Sequence, residues 1–196
     1  VIPVILASQS AIRRQLLESA GVTLRCQSAH CDEDVLKAEA LAKGISAEDL
    51  ARHLAEHKAL SIPDRDTLVI GADQTLACEG QLLNKAKDIA DARAKLLQLR
   101  GRTHHLHSGV ALVKNGACVW SMVSTVALDM RAFSDAALDT YLAQAGDALT
   151  RSVGAYEFEG LGASLFEQVT GDYHAILGLP LLPTLAALRA HGGMMS

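Results

Sequence analysis

Apolar positions along the chain follow two periods, one suited to strands and one to helices. Their alternation predicts an α/β protein with a mixed, twisted sheet. Residues 2–7 form an almost unbroken apolar run and read as a first core strand. The stretch 11–20 sets Ile12, Leu16, Leu17 and Ala20 on one helical arc, with Ser8 or Ser10 as N-cap and Gly21 as the stop. Residues 22–27 predict a second strand. Ser46-Ala47-Glu48-Asp49, a capping-box variant, opens a helix to about residue 62 with Leu50 and Leu54 on its buried stripe. Lys58 lies one further step of four along that stripe, where a lysine ordinarily carries its ammonium out to water. Another amphipathic helix spans 88–99. Two long strand-like runs, 103–113 and 117–130, flank Lys114-Asn115-Gly116, the strongest local hairpin signal available. Ser134 caps a helix over 134–145, residues 174–177 read as a short strand, and Gly178-Leu179-Pro180 leads into a closing helix to about residue 191. The tail 192–196 reads as frayed.

The pattern is centred on residues 67–85. The run 67–72 follows the turn cluster Pro63-Asp64-Arg65-Asp66 and reads as a strand buried on both faces. It stops at Asp73, which predicts a carboxylate at the carboxyl end of a core strand, the edge where open α/β sheets bind ligands. A second run, 75–78, meets Glu79-Gly80 and returns through Gln81-Leu82-Leu83 to Lys85, as a hairpin would. A two-residue turn opposes Lys85 to Gln74 and a three-residue turn opposes it to Asp73; the sequence leaves the register open.

Composition narrows the chemistry. The 196 residues suffice for a full core, as one domain or two small lobes, and 49% hydrophobic with 20% charged content excludes general disorder. An aromatic share of 4% argues against base-stacking platforms, and a net charge of −4 gives no bulk attraction to nucleic acid or an anionic membrane. No run approaches the roughly 18 apolar residues of a membrane span, and the amino terminus lacks the basic region of a signal peptide. Cys26, Cys31, Cys78 and Cys118 show no metal-ligand spacing and read as reduced, mostly buried thiols of a cytosolic protein.

Arg13 and Arg14 fall in the first turn of their helix, where the macrodipole disfavours cations. Serine hydroxyls, free N–H groups and two guanidiniums together are what a phosphate needs. Asp32, Glu33 and Asp34 cluster in a polar loop that is either a solvated helix cap or a hard-cation site. His104, His105 and His107 share one strand without a third ligand, so they read as half-exposed strand histidines rather than a zinc site. Gly160-Leu-Gly-Ala lacks the third glycine of a dinucleotide fingerprint.

Residues 6–17, Leu-Ala-Ser-Gln-Ser-Ala-Ile-Arg-Arg-Gln-Leu-Leu, resemble the amino-terminal signature of the Maf family of nucleoside triphosphate pyrophosphatases. Four further segments match in order: Leu54-Ala-Glu-His-Lys-Ala59, Gly71-Ala-Asp-Gln74 with the return to Lys85, Leu99-Arg-Gly-Arg-Thr-His104, and Gly160-Leu-Gly-Ala163 through Gly171-Asp-Tyr173 to Gly178-Leu-Pro-Leu181. The resemblance implies an elongated α/β fold like that of inosine triphosphate pyrophosphatases, with a cleft between two lobes of a single Maf-like domain. It implies a cytoplasmic enzyme that removes non-standard nucleotides, hydrolysing a triphosphate to monophosphate and pyrophosphate with Mg²⁺ or Mn²⁺. Carried over position by position, Ser8, Ser10, Arg13, Glu33, Lys58, Asp73 and Lys85 match the family's catalytic cleft, and Arg14 adjoins them as a substrate-binding candidate. Asp73 would serve as the base, Arg13, Lys58 and Lys85 as the polyphosphate clamp, and Glu33 with Asp73 as metal ligands. The implied partner is a small-molecule nucleotide, not a nucleic-acid polymer or a membrane, and a homodimer is compatible with it.

Three positions depart from the family's commonest pattern. Ile12 stands in the amino-terminal signature, Gln74 follows Asp73, and Glu159 precedes Gly160. Gln74 and Glu159 resemble the subfamily that hydrolyses 7-methyl-GTP, although Ile12 replaces that subfamily's tryptophan and forgoes stacking on a cationic base. A regulator of cell division that binds nucleotides without turnover is the main rival. A phosphomonoesterase trails, for want of an Asp-x-Asp pair.

Overall fold

In the computed structural model, which describes residues 1–195, β1 (Val4–Leu6) leads into α1 (Ala11–Ser19) and β2 (Leu24–Cys26). Next come α2 (Glu33–Ala42), α3 (Ala47–Leu60), β3 (Leu68–Cys78) and β4 (Gln81–Leu83). Then follow α4 (Ile89–Leu99), β5 (Thr103–Lys114), β6 (Ala117–Met130), α5 (Asp135–Gln144) and the short α6 (Ala148–Arg151). A 3₁₀ turn at Leu161–Leu165, β7 (Phe166–Thr170), α7 (Tyr173–Ile176) and α8 (Leu181–His191) complete the order. The strands make one mixed sheet in the order β2-β1-β3-β5-β6-β7, with β4 paired to β3. β1 runs parallel to both β2 and β3, pairing Leu6 with Cys26 and with Ile70. β4 runs antiparallel to β3, and β7 to β6.

The chain divides into two compact units. The first comprises Val1–Gln74, His107–Ser124 and the residues from Tyr173 onward. Here the two-residue period of β1 and β3 separates two cores. Val4, Leu6, Leu68, Ile70 and Ala72 pack with Leu17 of α1 and Leu188 of α8, while Ile5, Ala7 and Val69 pack with Ala59 and Ile62 at the end of α3. Each face is therefore covered, as the unbroken apolar run requires. The α3 helix sits close because Gly71 has no side chain: a Cβ there would lie 2.0 Å from the Ala55 carbonyl oxygen.

The second unit, Thr75–Leu106 with Thr125–Asp172, gathers most of the sparse aromatic residues. Tyr156 packs edge-on against Phe166 at 4.7 Å between ring centroids and meets His104 Nε2 through its hydroxyl at 2.7 Å. The Tyr141 hydroxyl donates to the Ala155 carbonyl.

Several expectations need correction. β3 does not stop at Asp73 but continues to Cys78, with Asp73 in mid-strand; what ends is its parallel neighbour β1, after Leu6. Residues 174–177 are not a strand: Tyr173–Ile176 form one helical turn, and the strand before it is Phe166–Thr170. The helix-cap reading of the acidic loop holds, since Asp32 accepts from the Asp34 and Val35 amides, but the cap opens a full helix, α2, that was not expected. His104 and His107 are buried, and only His105 is exposed. Of the cysteines only Cys78 is buried, and Cys26 and Cys118 are exposed. The tail is held through Met194, which packs on the core, and the Gly193 amide, which donates to the Leu188 carbonyl at 2.7 Å. Ser196 lies outside the described residues. The β3–β4 turn has the two-residue register, pairing Cys78 with Gln81.

Candidate active site

The carboxyl end of β1 delivers the first elements of the site. Past Leu6 the chain turns, and the Ser8 hydroxyl accepts from the Ser10 amide at 3.2 Å. Ser10 caps α1 by accepting from the Arg13 amide at 3.4 Å. Both serines thus hold the start of the helix, and Arg13 leaves its first turn toward the protein. The Arg13 guanidinium donates from Nε to the Gly178 carbonyl at 2.8 Å and from Nη1 to the Ala72 carbonyl at 2.9 Å, with Ser8 Oγ at 3.4 Å. Burial pushes its pKa down, opposed by the carboxylates of Asp73 and Glu33, and arginine's high starting value leaves it cationic at neutral pH. Arg14 does otherwise. It points outward and pairs with Glu18 one turn along at 2.8 Å, both side chains about half exposed. Ile12 is partly buried on the same helix.

Lys58 is the clearest departure from ordinary side-chain behaviour. Its side chain is 10% exposed, and its ammonium does not snorkel; it donates to Asp73 Oδ1 at 2.6 Å and pairs with Glu33 Oε1 at 3.0 Å. The reason is geometric. Lys58 continues the inward stripe of α3, and Asp73 is on the same β3 face as Gly71, where α3 comes closest. Asp73, also with a 10% exposed side chain, is paired inside the protein rather than at a solvent edge. Three elements, α2, α3 and β3, therefore converge with Arg13 on one constellation of two carboxylates and two cations. Cys31 stands beside it; burial raises its thiol pKa, partly offset by the Lys58 ammonium.

Among the described residues no group of three or more histidine, cysteine or acidic side chains is arranged to hold a metal. Glu33 and Asp73, gathered on one ammonium, are nevertheless the hard oxygen donors that Mg²⁺ takes when substrate phosphates complete its shell. The donor chemistry fits.

Gln74, next along β3, turns to the opposite face from Asp73. Its Nε2 donates to Ser108 Oγ at 2.9 Å and to the carbonyls of Ala175 and Ile176, each at 3.0 Å. A surface hollow of about 340 Å³ beside the start of α1 is lined by Ser8, Ser10, Arg14 and Cys26, among others. Lys85 is exposed just past β4, and Glu159 is exposed before the 3₁₀ turn; both belong to the second unit. Sequence reasoning missed the contributions of Gly178 and Ser108. The first was visible as the approach to a helix and the start of a matching segment, without a role, and the second as one polar residue in an apolar strand.

A protein-family model described as Maf-like protein matches residues 3–191. A protein of Caulobacter vibrioides named nucleoside triphosphate pyrophosphatase is 48% identical, over 98% of this chain and 97% of its own length. One of the same name from Maricaulis maris is 51% identical over 96% of each chain. A 7-methyl-GTP pyrophosphatase of Rhizobium meliloti is 43% identical over 97% and 96%. Among solved structures, a HAM1 protein from Coxiella burnetii aligns with a TM-score of 0.47 at 12% identity, covering 97% of this chain and 100% of that one. On the family match and these relatives, the chain belongs to the Maf-like proteins.

Proposed function

We propose that this chain hydrolyses a nucleoside triphosphate, and in particular a modified purine nucleotide such as 7-methyl-GTP, to the monophosphate and pyrophosphate. It is an enzyme of the hydrolase class, acting on a phosphorus anhydride, as its relatives at 46–51% identity over nearly the whole chain are named. The observation that carries the reading is the Lys58 ammonium fixed between Asp73 and Glu33, with Arg13 held against the Ala72 carbonyl beside them. A buried carboxylate needs a partner, and the ammonium that bridges the two carboxylates fixes where each one points.

The chemistry follows from those groups. Asp73 bonds Lys58 through Oδ1, which leaves Oδ2 to orient a water and take its proton as the oxygen attacks the α-phosphorus. The bond from that phosphorus to the bridging oxygen of the β-phosphate breaks, and pyrophosphate departs with the electron pair. Arg13 and Lys58 are already fixed, so they can stabilise the growing charge with little reorganisation. Held by Glu33 and Asp73, Mg²⁺ or Mn²⁺ would add charge neutralisation at the phosphate oxygens. The preference for a modified guanine rests on Glu159, whose carboxylate suits the N1–H and N2 amino donors of guanine and the cationic ring of its N7-methyl form, and on the name of the Rhizobium meliloti relative. The four free thiols suit a reducing cytoplasm.

A screen of standard and methylated nucleoside triphosphates, scored by pyrophosphate release, tests this. The expected result is equal monophosphate and pyrophosphate, with 7-methyl-GTP among the best substrates. Orthophosphate as first product would mean a phosphatase, and binding without either product would mean a regulator.

A further inference from the structure

Gln74 resembles a base-reading position, yet its amide nitrogen is already committed inside the protein. Two hydrogens are shared among three acceptors, Ser108 Oγ and the Ala175 and Ile176 carbonyls. Those carbonyls fix the amide's orientation, because an oxygen in that place would face their lone pairs. Ser108 is fully buried and completes the group: its hydroxyl donates to the Ala175 carbonyl at 2.7 Å while accepting from Gln74. Two side chains on β3 and β5 thus grip the carbonyls at the end of α7. That turn runs on directly into Gly178, whose amide donates back to the Ala175 carbonyl at 3.0 Å. Gly178 has φ +91°, a value that favours glycine, and there its carbonyl receives the Arg13 guanidinium at 2.8 Å. A Cβ at Gly178 would come within 3.1 Å of that guanidinium, so the segment and Arg13 fit closely.

We propose that Gln74 and Ser108 are positioning residues for Arg13: they brace the 175–178 segment so that the Gly178 carbonyl holds the guanidinium at the phosphate site. Asp73 and Gln74, adjacent in one strand, then serve the same reaction from opposite faces of the sheet. On this proposal Gln74 sets phosphate-clamp geometry rather than reading the base. The consequence for phosphate binding rests on the proposed function; the brace itself does not.

The test therefore has a readout independent of activity. The Arg13 Nε–H resonance, assigned by its absence in Arg13→Lys, reports the bond to Gly178. In Ser108→Ala, which removes the shortest of the three hydrogen bonds to the Ala175 carbonyl and the acceptor that shares the Gln74 amide, and in Gln74→Glu, which turns a carboxylate toward two carbonyls, that proton is expected to shift and lose protection from solvent exchange. An unchanged signal in folded variants overturns the proposal whether or not the protein is an enzyme, and Ser108→Ala covers the case in which Gln74→Glu fails to fold. Inorganic tripolyphosphate, which has a phosphate chain and no base, supplies the functional arm as an inhibitor. Its inhibition constant should rise about ten-fold in both variants, the loss of roughly one buried hydrogen bond, with the order of preferred triphosphates unchanged. A reordered preference with an unchanged inhibition constant would assign Gln74 to the base instead. A lower melting temperature with neither change would reduce both residues to a structural role. Absence of turnover in the wild type would count against the proposed function alone.

Discussion

A lysine on a helix stripe saves energy by reaching water, and Lys58 forgoes that saving because Asp73 and Glu33 meet it inside the protein. Such pairs contribute little net stability, since desolvation offsets much of the attraction. The proposed polyphosphate site would give the arrangement a use that stability does not. The neighbouring arginines show how local signals divide: Glu18, four residues beyond Arg14, claims that guanidinium on the surface, while Arg13 has no such partner and turns inward. In the sequence both guanidiniums read as phosphate ligands, which passes over Glu18, the local partner that separates them. The inward goals of Arg13, two backbone carbonyls, were not legible there, because carbonyls carry no residue identity. His104 illustrates a different single-residue effect. It is buried beside Tyr156, its Nδ1 has no hydrogen-bond partner, and burial holds its pKa down to about 4, against 6.5 for the free group. Between those values the unfolded chain binds a proton that the folded one refuses, so stability falls as pH drops from 6.5 toward 4 and is unaffected above 6.5. Urea unfolding at pH 7 and pH 4.5 should show a loss of about 2 kcal/mol from this group. In His104→Gln, which keeps a polar partner for Tyr156, that part of the loss should vanish; an identical pH dependence would contradict the assignment.

At the scale of elements, the closest approach in the first unit is that of α3 to β3. It depends on Gly71, where an added Cβ would lie 2.0 Å from the Ala55 carbonyl oxygen and 2.8 Å from the Ala59 nitrogen. Neither backbone atom can yield without moving the helix that carries Lys58. Gly71→Ala should cost about 4 kcal/mol or more in urea unfolding, the range reserved for severe backbone or core conflicts. A change under about 1 kcal/mol would mean that α3 shifts freely. Most elements could be read from capping residues and periods. Ser10, Ser46, Asp88 and Ser134 each accept an amide at the helix starts they announced, and Asn115-Gly116 turns β5 into β6. The misses share a physical cause. α7 is too short for a period to show, so its apolar residues read equally as strand. β7 alternates weakly because it lies at the sheet's end, with Glu167 and Gln168 exposed. β3 looked broken at Asp73 because a polar residue interrupts an apolar run unless its partner, here Lys58 from another element, is known. At α2 the cap was legible in Asp32 with Glu33 and Asp34, but the helix behind it buries only Ala40 and shows no clear apolar stripe.

At the scale of the molecule, the chain carries the candidate machinery of its first unit on segments far apart in sequence: Ser8 to Arg13, Glu33, Lys58, Asp73 and Gly178. No short window contains it, and only the sheet order that sets β1 beside β3 brings Arg13 to the backbone next to Asp73. That explains why the candidate set was legible only through several ordered motifs, whereas the brace proposed for Arg13 left no mark in the sequence. Whether Asp73 readies the water is decided by Asp73→Asn, an isosteric change that keeps a hydrogen-bond acceptor for Lys58 and removes the base. Pyrophosphate release from the best triphosphate should fall at least about a thousand-fold, while triphosphate still binds within about ten-fold of wild type and the circular dichroism spectrum is unchanged. Turnover within a few-fold of wild type in that folded variant would contradict the role assigned to Asp73.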